Sequence, residues 1–224
     1  LNAIRNIIQK ELGLIPDEIQ PLSGGDINQV YHCIFKKKEF VIKLNIATKY
    51  PEMFEKESKG LQLLSASKFN VPEPIANGTY NNHDYLILEY IKPGNEINWE
   101  KFGKNLANLH QITDENFGLN YDNFIGSLQQ KNSLENSWEE FYSNNRLLYL
   151  SAKARDLQLL KKNDCNKIEQ LCTQLNGLVP KTPPALVHGD LWAGNLISDI
   201  KNNPVLIDPA VYYGHPEMDW AMLC

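Results

Sequence analysis

The segment from His188 to Asn195 is the part of the sequence most suited to chemistry. It reads His-x-Asp-x-x-x-x-Asn, and an apolar β segment that ends in Asp208 follows it. This order is typical of phosphoryl transfer, which needs a carboxylate to orient the acceptor hydroxyl and take its proton, and hard oxygen ligands for Mg²⁺. We therefore predict that Asp190 is the catalytic base and that Asn195 and Asp208 hold Mg²⁺.

The alternative is a simple loop in which Asp and Asn serve as turn residues. A lone His-x-Asp would favour that interpretation, but here the spacing to Asn195, the apolar flanks and Asp208 coincide. We therefore prefer phosphoryl transfer, and we expect His188 to pack and hydrogen-bond within the loop rather than to react.

A phosphate-binding cation is expected earlier in the chain. Lys43 lies in the middle of the β-rich segment 39–45, and the helical segment after it offers Glu55 and Glu57 as partners, of which we favour Glu57. The alternative is an outward-facing lysine with a solvated glutamate. The position of Lys43 ahead of the catalytic segment favours a Lys43–Glu57 pair that binds the phosphates of ATP.

Two further segments are candidates for nucleotide contacts. Gly24 and Gly25 form a turn between two predicted strands, where backbone amides could approach a phosphate closely, although such a turn is more often a plain hairpin. The backbone of Glu89, Tyr90 and Ile91 follows an apolar strand and is placed to connect two lobes and to bind the adenine edge.

The elements that must position these residues change in character along the chain. Before Pro93, the sequence pattern predicts a helix over 1–12, strands near 22–35, 39–45, 75–78 and 85–91, and a second helix over 51–64. Helices over 99–112, 138–150 and 168–175 follow. We predict an α+β, two-lobed, protein-kinase-like fold, with an antiparallel sheet and a helix in an ATP-binding lobe (1–91) and a mostly helical catalytic lobe (92–224).

The composition excludes some classes of binding partner. The net charge is −5 and charged residues make up 22% of the 224 residues, so nothing indicates a nucleic-acid or membrane-surface binder. The four cysteines form no Cys-x-x-Cys pair, which argues against a zinc site or a disulfide framework and fits a cytoplasmic protein. The final residues resemble the start of a helix, so we expect the natural domain to continue. The sequence does not indicate an oligomeric state.

Several segments together resemble the fructosamine-3-kinase (ketosamine kinase) family, within the aminoglycoside-phosphotransferase-like branch of kinase folds. They are Ser23-Gly24-Gly25-x-Ile27-Asn28, Val41-Ile42-Lys43, Met53-Phe54-x-x-Glu57, His188-Gly189-Asp190-Leu191-Trp192-x-Gly194-Asn195 and Asp208-Pro209-Ala210-x-Tyr212-Tyr213-Gly214-His215. The resemblance covers essentially the whole chain. It implies ATP- and Mg²⁺-dependent phosphorylation of the sugar 3-hydroxyl of ketosamines, the fructosamine or ribulosamine adducts of glycated amines, and hence a part in protein deglycation.

The resemblance also implies roles for residues around the catalytic segment. Trp192 would pack against the sugar or act as a hydrophobic plug of the loop, Asp219 would bond the loop backbone, and Glu217 could be either a substrate or a structural residue. Asp26 stands where the family often has Cys, so thiol-based control at that turn is not expected. The alternatives left open are a kinase of another small alcohol, such as an aminoglycoside or choline, and a nucleotide-binding module without transferase activity.

Overall fold

The computed structural model describes residues 1–22 and 27–223. It divides the chain into two compact units, of which the first comprises Leu1–Asn105 with Ala193–Pro209 and the second Leu106–Trp192 with Ala210–Cys224. The helices and strands of both units confirm the predicted α+β class. None of the helices in the described ranges combines the length and the apolar character that crossing a membrane requires.

The first unit is built on a five-stranded antiparallel sheet. Its strands are β1 (Glu18–Pro21), β2 (Gln29–Phe35), β3 (Lys38–Ile46), β4 (Pro74–Tyr80) and β5 (His83–Glu89), in the spatial order β1-β2-β3-β5-β4. The β2–β3 hairpin closes through the pair Phe35–Lys38, so Lys36 and Lys37 form a two-residue turn. Lys36 has a φ of 55°, as such hairpin turns require, and the predicted turn at the lysine run is therefore confirmed.

One face of the sheet is covered by helix α1 (Asn2–Leu12). Ile4, Ile7 and Ile8 of α1 pack in a single buried cluster with Ile42 of β3 and Ile87 of β5. Because side chains alternate across a strand, Lys43 must lie on the other face. The helical spacing of α1 thus determines which face of the sheet remains available to a ligand.

The remaining elements of the first unit flank this sheet. They are the helix α2 (Met53–Ser65), the part of α3 (Trp99–Leu109) that precedes Leu106, a 3₁₀ turn (Ala193–Asn195) and the hairpin β9 (Leu196–Ser198) and β10 (Pro204–Leu206). The hairpin belongs to this unit because the N–H of Gly94 donates to Ser198 O and Asn70 bridges to Val205. The first unit therefore extends past residue 91, and the functional division at 91/92 stays a prediction.

The second unit is mainly helical. Its helices are α4 (Trp138–Tyr142), α5 (Tyr149–Asp156), α6 (Lys162–Leu178) and α7 (Glu217–Leu223), and its short strands are β6 (Asn123–Ile125), β7 (Leu128–Gln130), β8 (Ala185–Val187) and β11 (Tyr212–Gly214). Strands β8 and β11 pair antiparallel. This pairing joins the two stretches of the second unit that precede and follow residues 193–209, which belong to the first unit. The predicted helix at 168–175 lies within the longer helix α6.

The predicted helix over 138–150 is interrupted by a π-helical segment, Ser143–Leu148. The wider turn carries Asn145 and Arg146 into the interior, where the Arg146 guanidinium lies 4.7 Å from the ring centre of Phe141 and 4.4 Å from that of Tyr212. The chain is helical over the whole predicted range, with a π-helical middle whose Arg146 contacts a residue that is distant in sequence.

Candidate active site

In the first unit, Lys43 is bonded to two carboxylates. Its Nζ donates to Oε1 of Glu57 over 2.6 Å and also to Oδ1 of Asp208. The side chains of Lys43 and Glu57 are 6% and 10% exposed, whereas that of Asp208 is 47% exposed. Glu55, the other candidate partner, pairs instead with Lys59 on the surface. The structure therefore brings together three of the residues that the sequence singled out.

The charges of this cluster do not balance. Burial alone would lower the pKa of Lys43, but the carboxylates of Asp208 and Glu57 outweigh it and raise that pKa. Burial raises the pKa of Glu57, and Lys43 only partly opposes this. One ammonium faces two carboxylates, of which Asp208 is the exposed one. A cation that bound Asp208 would relieve this imbalance.

Asp208 and Asn195 have the donor atoms that Mg²⁺ prefers. A carboxylate and an amide oxygen are hard ligands, and both residues lie in the first unit, where the N–H of Ile207 donates to the carbonyl of Asn195. Asp208 has a φ of 54°, a left-handed conformation that is uncommon outside glycine and concentrates at functional sites. The two residues therefore fit a magnesium site, with the half-exposed carboxylate available to the ion.

The segment predicted to bind adenine follows strand β5. Glu89 ends the strand, and its N–H donates to the carbonyl of Glu73. The ring of Tyr90 stacks on that of His32, with ring centres 3.8 Å apart. Glu89, Tyr90 and Ile91 line a cavity of about 490 Å³. The predicted glycine turn at Gly24, Gly25 and Asp26 lies outside the described residues.

In the second unit, a network of hydrogen bonds holds the backbone beside Asp190. Asp219 is fully buried; its Oδ2 accepts from the N–H of His188 over 2.9 Å and its Oδ1 from that of Gly189 over 3.0 Å. Nε2 of His110 lies 2.9 Å from the same Oδ2. The predicted bond of Asp219 to the loop backbone is therefore present, and the contribution of His110 is one that sequence reasoning missed.

His188 supports the loop from within. Its side chain is completely buried, and its Nδ1 accepts a hydrogen bond from the N–H of Asp190 over 3.2 Å. Nδ1 can accept only while it carries no proton, so the imidazole is arranged as a fixed acceptor. This agrees with the predicted packing role and leaves Asp190, which is partly exposed, as the reactive candidate of the loop.

Gly189 allows the loop to pass close to its neighbour. It has a φ of +79°, and a Cβ atom at this position would lie 2.2 Å from the carbonyl oxygen of Ala210. Only glycine combines this backbone conformation with this approach. The glycine between His188 and Asp190 is therefore required by geometry, which the sequence could have indicated only through its place in the motif.

Trp192 and Glu217 are both on the surface. The indole of Trp192 is 53% exposed, which favours an available surface over a hydrophobic plug. Glu217 begins α7 with an exposed side chain, and its N–H donates to Nδ1 of His215 over 3.3 Å. No contact in the described residues assigns either side chain to a substrate.

Comparison with known proteins places these features in a family. The family model described as fructosamine kinase matches residues 1–224. A protein of Synechocystis sp. named probable ketoamine kinase is 38% identical over 209 residues, which cover 92% of this chain and 70% of that protein.

Solved structures agree with the sequence comparison. A crystal structure from Haemophilus somnus assigned as a fructosamine-3-kinase matches with a TM-score of 0.85 and 25% identity, covering 97% of this chain and 75% of that one. An aminoglycoside phosphotransferase matches with a TM-score of 0.67 and 12% identity, covering 99% of this chain and 75% of that one, which shows a shared kinase-like fold alone. The chain belongs to the fructosamine kinase family.

Proposed function

We propose that this chain is an ATP-dependent kinase that phosphorylates the 3-hydroxyl of ketosamines, the fructosamine or ribulosamine adducts of amines, and so takes part in deglycation. The observation that carries the proposal is the buried Lys43–Glu57 pair with Asp208 on the same ammonium. The chain matches the fructosamine kinase family, and its Synechocystis relative is named a probable ketoamine kinase.

The first unit supplies the groups that would hold the nucleotide. Lys43 provides a fixed positive charge for the α- and β-phosphates, and Glu57 holds its ammonium in place from the buried side. Asn195 and Asp208 are the proposed ligands of Mg²⁺, which when bound neutralises charge on the phosphates. The backbone of Glu89, Tyr90 and Ile91 is proposed to bind the adenine edge. Gly24 and Gly25 remain candidates for covering the phosphates.

The second unit supplies the acceptor chemistry. Asp190 would orient the sugar hydroxyl and take its proton as the hydroxyl oxygen bonds to the transferred phosphorus and the bond to the ADP oxygen breaks. The buried Asp219 keeps the loop backbone in position by accepting from two of its amides. Trp192 offers an exposed indole against which an apolar sugar face can pack. Glu217 is a second candidate for contact with the substrate.

A cytoplasmic location is part of the same proposal. Cys33, Cys165 and Cys172 are free thiols among the described residues, which fits a reducing compartment. The partner is a small ketosamine or a glycated amine, and neither a nucleic acid nor a membrane has a place in the proposed reaction.

The test is acceptor-dependent release of ADP. The purified chain would be given ATP and Mg²⁺ with fructosyl-lysine, ribulosyl-lysine, an aminoglycoside, choline or no acceptor. The proposal predicts ADP release that rises with the two ketosamines and is abolished when a chelator removes the divalent ion. Preference for the aminoglycoside or choline, or nucleotide binding without phosphorylation of any acceptor, would contradict it.

A further inference from the structure

A buried histidine on strand β2 has no place in the mechanism described above. His32 is only 8% exposed, although its ring carries two polar nitrogens. Buried polar side chains are ordinarily held by specific partners, so the surroundings of His32 indicate its role. Two partners are within contact distance, one in the sheet and one just beyond it.

The first partner is Tyr90 in the segment that follows β5. The two rings lie 16° from parallel, with centres 3.8 Å apart. Such a stack places the two rings in face-to-face contact, which favours one orientation of the tyrosine. The second partner is Glu39 of β3, whose Oε2 lies 2.9 Å from Nε2 of His32. Nε2 makes no hydrogen bond within the described residues despite this approach, so the stack on Tyr90 is the contact that orients the imidazole.

Strand register places this arrangement on the ligand-binding face of the sheet. His32 is directly opposite Val41, and Val41 precedes Lys43 by two residues on the same strand. Directly opposite residues share a face, as do residues two apart along a strand. His32 therefore lies on the face that carries Lys43 and not on the face covered by α1.

Tyr90 lies where the backbone leaves the sheet. The last register pair of β5 is Glu89 with Phe40, and the N–H of Glu89 donates to Glu73. The next residue held by a backbone hydrogen bond to the β9–β10 hairpin is Gly94. Residues 90–92 run between these two points outside any strand. A side-chain contact is therefore the means by which the sheet can fix residue 90.

We infer that His32 is a positioning residue for the nucleotide. By stacking on Tyr90 it holds the backbone of residues 89–91 in the conformation that accepts a purine base. The inference rests on the proposed function, because it concerns the adenine end of the same nucleotide. It predicts that His32 affects affinity for the base and leaves phosphoryl transfer itself unchanged.

The test compares four variants of the full chain: His32→Leu, His32→Phe, Tyr90→Leu and the double variant His32→Leu/Tyr90→Leu. His32→Leu and Tyr90→Leu should each weaken ATP binding in calorimetry, and raise KM for ATP, roughly tenfold, a change equal to about 1.4 kcal/mol. His32→Phe retains a flat ring and should bind ATP nearly as the wild type does. The double variant should be no worse than either single one, because both remove the same contact.

Two further readouts separate positioning from general damage. In His32→Leu the kcat at saturating ATP and the KM for the ketosamine should stay at wild-type values, and the preference for ATP over GTP should fall in both leucine variants. A general loss of structure would instead lower kcat and raise both KM values together. If His32→Leu lowers the melting temperature strongly, Tyr90→Leu decides the matter, since Tyr90 is partly exposed.

Three results would overturn the inference: unchanged ATP affinity in Tyr90→Leu, no recovery in His32→Phe, or additive losses in the double variant. A failure of the proposed function would look different. If the wild-type chain bound ATP but phosphorylated no ketosamine, the proposed acceptor would be wrong, and the calorimetric comparison of the variants would still test the role of His32.

Discussion

Nζ of Lys43 donates to Oε1 of Glu57 over 2.6 Å, and both side chains are buried. A buried ion pair adds little net stability over an apolar pair of similar volume, but breaking it leaves an uncompensated buried charge. The presence of this pair is therefore better explained by a ligand that uses the ammonium than by stability. Asp208, the third member, is exposed enough to exchange its contact with Lys43 for water or a cation.

The ion pair can be tested by separating stability from activity. Lys43→Met should lower the free energy of unfolding by about 3–5 kcal/mol, because Glu57 remains buried and unpaired. The double variant Lys43→Met/Glu57→Leu should regain most of that stability. Both should lose roughly 10²–10³-fold in kcat/KM for ATP, as expected when a preorganised donor to the phosphates is removed.

Urea denaturation and steady-state kinetics measure both quantities. Lys59→Met is the matched control, since Lys59 pairs with Glu55 on the exposed side of the same helix and should change stability by less than about 0.5 kcal/mol. Recovery of activity in the double variant would show that the ammonium does not serve the nucleotide.

Asp219 should determine the stability of the catalytic loop. Asp219→Asn replaces one acceptor oxygen with an NH₂ group and leaves a buried loop amide facing a donor, so it should cost about 1–3 kcal/mol. Hydrogen exchange at the amides of His188 and Gly189 should accelerate, and kcat should fall.

The control for this change is Asp17→Asn. The Asp17 carboxylate also accepts from a backbone N–H, that of Lys36, but at an exposed site, so its loss should be small. Unchanged exchange at the two loop amides in Asp219→Asn would contradict the positioning role.

Gly189→Ala should destabilise the protein and inactivate it. The added Cβ would lie 2.2 Å from a backbone carbonyl oxygen that cannot rotate away, at a φ that alanine rarely adopts. Gly177→Ala is the matched control in helix α6, where the added Cβ would meet no described atom within 4 Å beyond its chain neighbours and the adjacent helical backbone. That variant should be neutral or stabilised by up to about 1 kcal/mol. Equal melting temperatures for the two variants would refute the close-approach argument.

Trp192→Leu should weaken binding of the acceptor and leave the stability of the fold nearly unchanged. Because the indole is 53% exposed, its loss should change the melting temperature little, while KM for a ketosamine should rise about two- to tenfold. Trp192→Phe should retain most of the affinity. Trp99→Leu, at another exposed tryptophan, should change neither value. A fall in melting temperature with KM unchanged would instead support a structural role for Trp192.

Much of the fold can be predicted from local patterns in the sequence. The alternation of side chains on β3 predicts that Lys43 faces away from α1, and the order of elements predicts a glutamate from the following helix as its partner. The helices, the main strands and the lysine turn could therefore be predicted. The spacing of His188, Asp190, Asn195 and Asp208 predicts their roles, and the family resemblance adds the ketosamine acceptor.

Other features depend on contacts between distant segments. Arg146 of the π-helical segment is buried against Tyr212, a residue far along the chain. The stack of His32 on Tyr90 requires knowing where β5 ends and how β2 pairs, and the bond between His110 and Asp219 joins residues that lie 109 positions apart. Periodicity within one element carries no information about such pairs.

The most direct test of the central claim is the position of the phosphate on the product. Fructosyl-lysine would be incubated with ATP, Mg²⁺ and either the wild-type chain or Asp190→Asn, and the product identified by phosphorus and proton NMR. The wild type should yield the 3-O-phosphate, and Asp190→Asn should form it roughly 10²–10⁴-fold more slowly while still binding ATP. Phosphate on another hydroxyl, no phosphorylated sugar, or an unimpaired Asp190→Asn variant would contradict the assignment.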